Sequence, residues 1–193
     1  MLFWLIPKEA VLPILLFIGI EITAQSYHAT PRRHYAALAV ACFPAIAKMV
    51  VIFLGQFAEV MNYETASEFA AESAQSLMLK LNVLAGGFII TSLIWASATA
   101  RIIDRRFNTA SIYFAVGGLF TLFGLMHSPL DGDKMFWPWQ LFDRSITSEA
   151  QQSISLQFAV AYLVMAGLMF GLGRLLKDRL EIIDSDEQYE NLL

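Results

Sequence analysis

The sequence predicts an all-α integral membrane protein with about five transmembrane helices. Hydrophobic residues fill 57% of the 193 positions and charged residues only 16%, well short of the quarter or so usual in a soluble domain. Apolar runs recur at the length a helix needs to cross the hydrocarbon core, about 20 residues. The turns between them alternate between rich and poor in Lys and Arg, the pattern that orients spanning helices.

The first expected span is 10–27. Pro7 precedes it and Pro13 sits in its first turns, where proline is tolerated. Glu21 interrupts the apolar run, with Gln25 one turn later and His28 about two turns later on the same face. A carboxylate inside a span is costly and tends to face a cavity or a partner. Glu21, Gln25 and His28 are therefore candidates for a polar pathway, and the alternative is a structural acid bonded to a neighbouring span. The second span, 35–57, contains Pro44, which should kink it, and Lys48, the fourth candidate pathway residue. Lys48 lies at a different depth from Glu21, so its ammonium is expected to snorkel outward.

The segment Glu59–Ser76 holds four glutamates and no Lys or Arg. Glu64, Glu68 and Glu72 recur every four residues and suit a solvated surface helix. The third span is 77–100 and includes Gly86 and Gly87. The fourth, 110–126, is short and carries Gly117, Gly118 and Gly124. A polar loop from His127 to Ser153 follows, with Phe136, Trp137, Trp139 and Phe142 suited to a membrane–water interface. Asp131 and Asp133 lack the spacing and closing Glu of a calcium loop. The fifth span, 154–175, offers Gly167 and Gly171 as a helix-contact pair, and 181–193 is an acidic cytoplasmic tail.

Arg32 and Arg33, then Arg101, Arg105 and Arg106, then Arg174, Lys177 and Arg179 mark the basic segments. The positive-inside pattern places these in the cytoplasm, with the N-terminus outside and the C-terminus inside a cell (inner) membrane. An outside start without a signal peptide leads to the expectation that the chain is the C-terminal part of something longer.

Arginines grouped in twos and threes beside spans read as topology, so no nucleic-acid partner is expected. Cys42 lies alone in an apolar run and reads as a small packing residue. His28 and His34 are six residues apart, poor spacing for a metal, and no HExxH or Ser/His constellation is present. No catalytic residue, metal or cofactor is expected, and the chain does not read as an enzyme.

The stretch PKEAVLPILLFIGIEITAQ followed by HATPRRHYAALAVACFPAIA, roughly residues 7 to 57, resembles late spans of the xanthine/uracil permease (nucleobase–ascorbate transporter) superfamily. The resemblance implies the gate or scaffold part of an inverted-repeat transporter. Its partners would be the bilayer, the N-terminal part of the same transporter and a small solute such as a nucleobase. The family's Gln/Thr-Glu-Asn-x-Gly type core motif is missing here, which implies that the substrate site lies mostly outside this chain. The competing expectations are a small structural or assembly membrane protein and, third, a membrane-embedded enzyme.

Overall fold

In a computed structural model the described residues are 8–61, 72–128, 130, 135–140, 143 and 148–176. They form six α-helices and one short 3-10 turn, with no strand among them. Helix α1 is Lys8–Ala29, the 3-10 turn Arg32–His34, α2 Tyr35–Val60, α3 Glu72–Ala85, α4 Phe88–Ile103, α5 Phe107–Leu122 and α6 Glu149–Leu175. The helices that include α2 and α6 are long and apolar enough to cross a membrane, and the α3–α4 pair makes a third such element if its two halves count as one span.

Helix α5 packs on both α4 and α6, α2 packs on α4 and α3, and α3 also touches α6. The tightest approach is between α5 and α6. A Cβ on Gly117 would sit 3.2 Å from the Tyr162 ring, and one on Gly118 would sit 3.3 Å from Leu163. Glycine lets these backbones close together. The contact pair expected on α6 itself is not used: Cβ atoms on Gly167 and Gly171 would meet nothing within 4 Å. A small residue makes a contact face only where a neighbour presents a bulky one, and Tyr162 presents its ring to α5.

The third expected span, 77–100, is not one straight helix. It divides at Gly86-Gly87, and its halves meet at 74°. Gly87 adopts φ +67°, a left-handed conformation that glycine reaches without the Cβ penalty. A side chain at Gly87 would run into the Leu125 carbonyl, and one at Gly86 would lie 3.0 Å from the Ser128 nitrogen. The two glycines admit the chain that follows α5 into the break.

That chain differs from the expected loop. Helix α5 ends at Leu122, and residues 123–128 turn back into the protein, burying Met126, His127 and Ser128. Further on, Phe136 is buried and its backbone N–H donates to the Phe123 carbonyl, 3.3 Å away. Trp137 and Trp139 stack with ring centres 5.0 Å apart. Helix α6 begins at Glu149, before the expected 154, because Ser148 and Gln151 form a reciprocal capping box. Pro44 is buried within a continuous α2. Cys42 lies on an exposed face, its thiol directed to the Leu38 carbonyl at 3.4 Å.

At one end the two turns rich in arginine meet. His34 Nε2 lies 2.7 Å and Arg33 Nη2 3.4 Å from the same Asp104 carboxylate oxygen. The hydrogen bond to His34, joined by the charges of His34, Arg33 and Arg101, holds the Asp104 carboxyl below the usual carboxylate range. Glu64, Glu68, Asp131, Asp133, Phe142, Lys177, Arg179 and the tail 181–193 lie outside the described residues.

Candidate functional site

The expected polar pathway lies on α1. Gln25 Nε2 donates to Glu21 Oε1 at 3.0 Å, so the structure joins these two residues one helical turn apart. Glu21, Gln25 and His28 are all exposed. Phe17, Ile18, Ile20 and Ile22, spread around the same helix, are also 46–69% exposed, and α1 meets the other helices little beyond the Tyr27–Tyr35 ring contact at 5.1 Å. Lys48 is half-buried on α2, one turn after Pro44. Among the described residues no ion pair joins it to Glu21.

A second polar cluster, absent from the sequence reading, fills the break between α3 and α4. Its centre is His127, fully buried at φ +52°. The backbone N–H of His127 donates to the Gly86 carbonyl at 2.9 Å, and its ring Nδ1 lies 3.2 Å from the Val83 carbonyl oxygen. Carbonyls at the end of a helix have no partner within it. Non-helical backbone at membrane depth is stable only where protein satisfies it. His127 does this from another part of the chain, capping α3 with its main chain and its ring together.

The partners fix the direction of each hydrogen bond. Trp95 Nε1–H can only donate, and it donates to the Tyr162 hydroxyl at 2.6 Å. The Tyr162 proton is then free to point at His127 Nε2, 2.9 Å away. Val83 offers only an acceptor, so Nδ1 carries the imidazole hydrogen. The result is a neutral chain running Trp95 to Tyr162 to His127 to Val83 in which every donor has an acceptor. Phe158 stacks on the imidazole at 4.1 Å, and Ser155 Oγ–H donates to the His127 carbonyl at 3.0 Å. Helices α3 and α6 and the turn thus meet at one ring, with α4 joined to it through Trp95 and Tyr162.

Beyond Tyr162 the cluster borders an open groove of about 230 Å³ lined by Trp95, Phe114, Phe158, Ala161, Tyr162 and Met165. Its walls are apolar and aromatic. Nothing about its lining resembles a path for an ion.

The sequence carried one signal for this cluster: Trp95 and Tyr162 lie inside apolar helices, where their N–H and O–H need partners. The partner was hidden because His127 follows a helix, where a histidine reads as the start of a solvated loop. No protein-family model, curated protein or solved structure matches this chain.

Proposed function

We propose that this chain is the gate or scaffold part of a permease-like membrane transporter for a small solute of the nucleobase type, working together with further transmembrane protein. The observation that carries this reading is the Glu21–Gln25 pair, exposed on an apolar helix that the other described residues leave largely uncovered. An ionised carboxylate facing lipid at the bilayer centre costs about 3 kcal/mol on insertion scales. Another part of the transporter, or a water-filled path shared with it, removes that cost. Two further features support the reading: a broken span, a recurrent element of transporters, and the resemblance of residues 7 to 57 to late permease spans. In this reading α1 and the short α5 also cross the membrane, giving five spans, with the N-terminus outside and the arginine-bearing turns in the cytoplasm.

A second reading, a structural or assembly subunit, draws on the His127 cluster. Its hydrogen bonds are satisfied internally and its adjoining groove is apolar, as suits a scaffold.

Uptake of labelled uracil or xanthine by cells holding the complete assembly separates the two. Under the transport reading Glu21→Gln keeps membrane abundance and abolishes the pH or ion dependence of uptake. Uptake with unchanged magnitude and unchanged pH dependence would reject the polar pathway and leave the scaffold.

A further inference from the structure

Three basic segments far apart in sequence converge at one end of the helix bundle. The Asp104 carboxylate ties the 3-10 turn before α2 to the turn after α4. The end of α6 joins them, because a Cβ on Gly173 would lie 3.2 Å from the Asn108 backbone nitrogen at the start of α5. Arg32, Arg33, Arg101, Arg105, Arg106 and Arg174 therefore share this end. All except Arg101 are exposed. Asp104, the acid bonded among them, is already engaged by His34 and Arg33.

Two features exceed what orientation alone requires. First, seven of the eight Lys and Arg residues that the sequence puts in these three segments are arginine, Lys177 being the exception, whereas Lys48 and Lys80 lie elsewhere. An ammonium marks the inner face of a membrane as well as a guanidinium does, but only the guanidinium fork grips a phosphate through two parallel hydrogen bonds. Second, the N-termini of α2 and α5 open at this end with neither a side-chain cap nor an acidic residue in the first turn. Helix N-termini carry partial positive charge and favour phosphate. Helix α6 starts elsewhere and has both a capping box and Glu149. The turn between α4 and α5 places Arg105, in a left-handed conformation at φ +57°, directly before Arg106, the N-cap of α5.

We propose that this arginine end binds the phosphate of an anionic lipid headgroup, centred on Arg105 and Arg106 at the α5 N-terminus and completed by Arg32 from the neighbouring turn. A lipid is the occupant that fits, because the surface lies at the ends of apolar helices, where headgroups of the adjacent leaflet lie. Recruitment of anionic headgroups by basic residues beside spans follows ordinary membrane electrostatics. The convergence of forks and helix ends turns that general attraction into a site.

The test is native mass spectrometry of the full chain released from nanodiscs containing equal phosphatidylglycerol and phosphatidylcholine. Selective retention of phosphatidylglycerol is expected, weakened about fivefold for each arginine removed in Arg105→Gln and Arg106→Gln, since each basic contact is worth about 1 kcal/mol. Arg105→Lys with Arg106→Lys keeps the charge and should still lose part of the selectivity. Lys80→Gln, on α3, should leave it unchanged. Equal retention of both lipids, an equal loss in Lys80→Gln, or full selectivity in the double lysine variant would overturn the proposal. Displacement of the lipid by millimolar inorganic phosphate would also overturn it, by reassigning the site to a soluble anion.

Discussion

Helix α1 and the body formed by α3 to α6 both place polar side chains among apolar ones, and they do so in opposite ways. In the body, His127, Tyr162 and Trp95 come from three separate elements, and each hydrogen bond closes on another part of the same chain. On α1 the polar groups satisfy only their own helix. Gln25 reaches Glu21, and the hydroxyls of Thr23 and Ser26 fold back to the Gly19 and Ile22 carbonyls, each at 2.8 Å. The cluster in the body closes on itself. Among the described residues, little of the rest of the chain packs on α1. Stability should therefore reside in the body and assembly on α1, and substitutions can test that division.

The largest effect is expected at the cluster. His127→Leu leaves the Tyr162 O–H proton without its acceptor, takes one of two donors from the Val83 carbonyl and, through Tyr162, loosens the ordering of Trp95. With about 1–3 kcal/mol for each buried group left unpaired, the loss should be roughly 3 kcal/mol, read as a lowered midpoint of denaturant unfolding in detergent. A value near zero would mean that the cluster does not hold the break together and would erase the contrast with α1. Gly87→Ala should follow at about 2 kcal/mol, the cost of a left-handed non-glycine residue with the added Leu125 carbonyl clash. Gly167→Ala, set in open space on α6, serves as its control and should be neutral or slightly stabilising. The smallest effect belongs to Glu21→Leu, which should change the unfolding midpoint of the isolated chain by less than about 0.5 kcal/mol, as for other exposed positions. A loss comparable to His127→Leu would show α1 to be part of the body after all.

The Asp104 tie sharpens the same contrast through pH. Its carboxyl is held below the ordinary range chiefly by the His34 hydrogen bond. A depressed acid stabilises above its unfolded pKa, and that contribution fades as the pH falls through the lowered folded value. The difference in stability between native protein and Asp104→Asn should thus be fully present at neutral pH, begin to fade near pH 3.8, the ordinary value for this carboxyl, and vanish only once the pH lies below the lowered folded value. A difference that persists in strong acid would assign the effect to packing.

What the sequence disclosed depended on the range over which each signal acts. Helices α1, α2 and α6 follow apolar runs of spanning length, and composition alone makes them visible. The early start of α6 was written locally, in the Ser148-x-x-Gln151 spacing. The break at Gly86-Gly87 was concealed because two glycines in an apolar helix serve equally as a close-packing surface or a hinge. Only the arrival of Leu125 and Ser128 decides between them. The His127 cluster joins residues 35, 44 and 67 positions apart, a separation that no periodicity reports. Glu21 was visible as an anomaly, and its pairing with Gln25 followed from helical spacing.

The helices are unequal in length. At 1.5 Å per residue, the 16 residues of α4 and of α5 rise about 24 Å, while the 26 of α2 and the 27 of α6 rise about 40 Å. Beyond the break α3 turns aside, at 74° to α4, and exposes Gln75, Ser76 and Lys80. Under the five-span proposal, the low-dielectric layer beside α4 and α5 would be thinner than the surrounding bilayer by several ångströms. A membrane voltage would then fall over a shorter distance there, with a steeper local field, and lipids next to these two helices would shorten or tilt to match. In that arrangement the bend at two glycines would act on the membrane as well as on the protein.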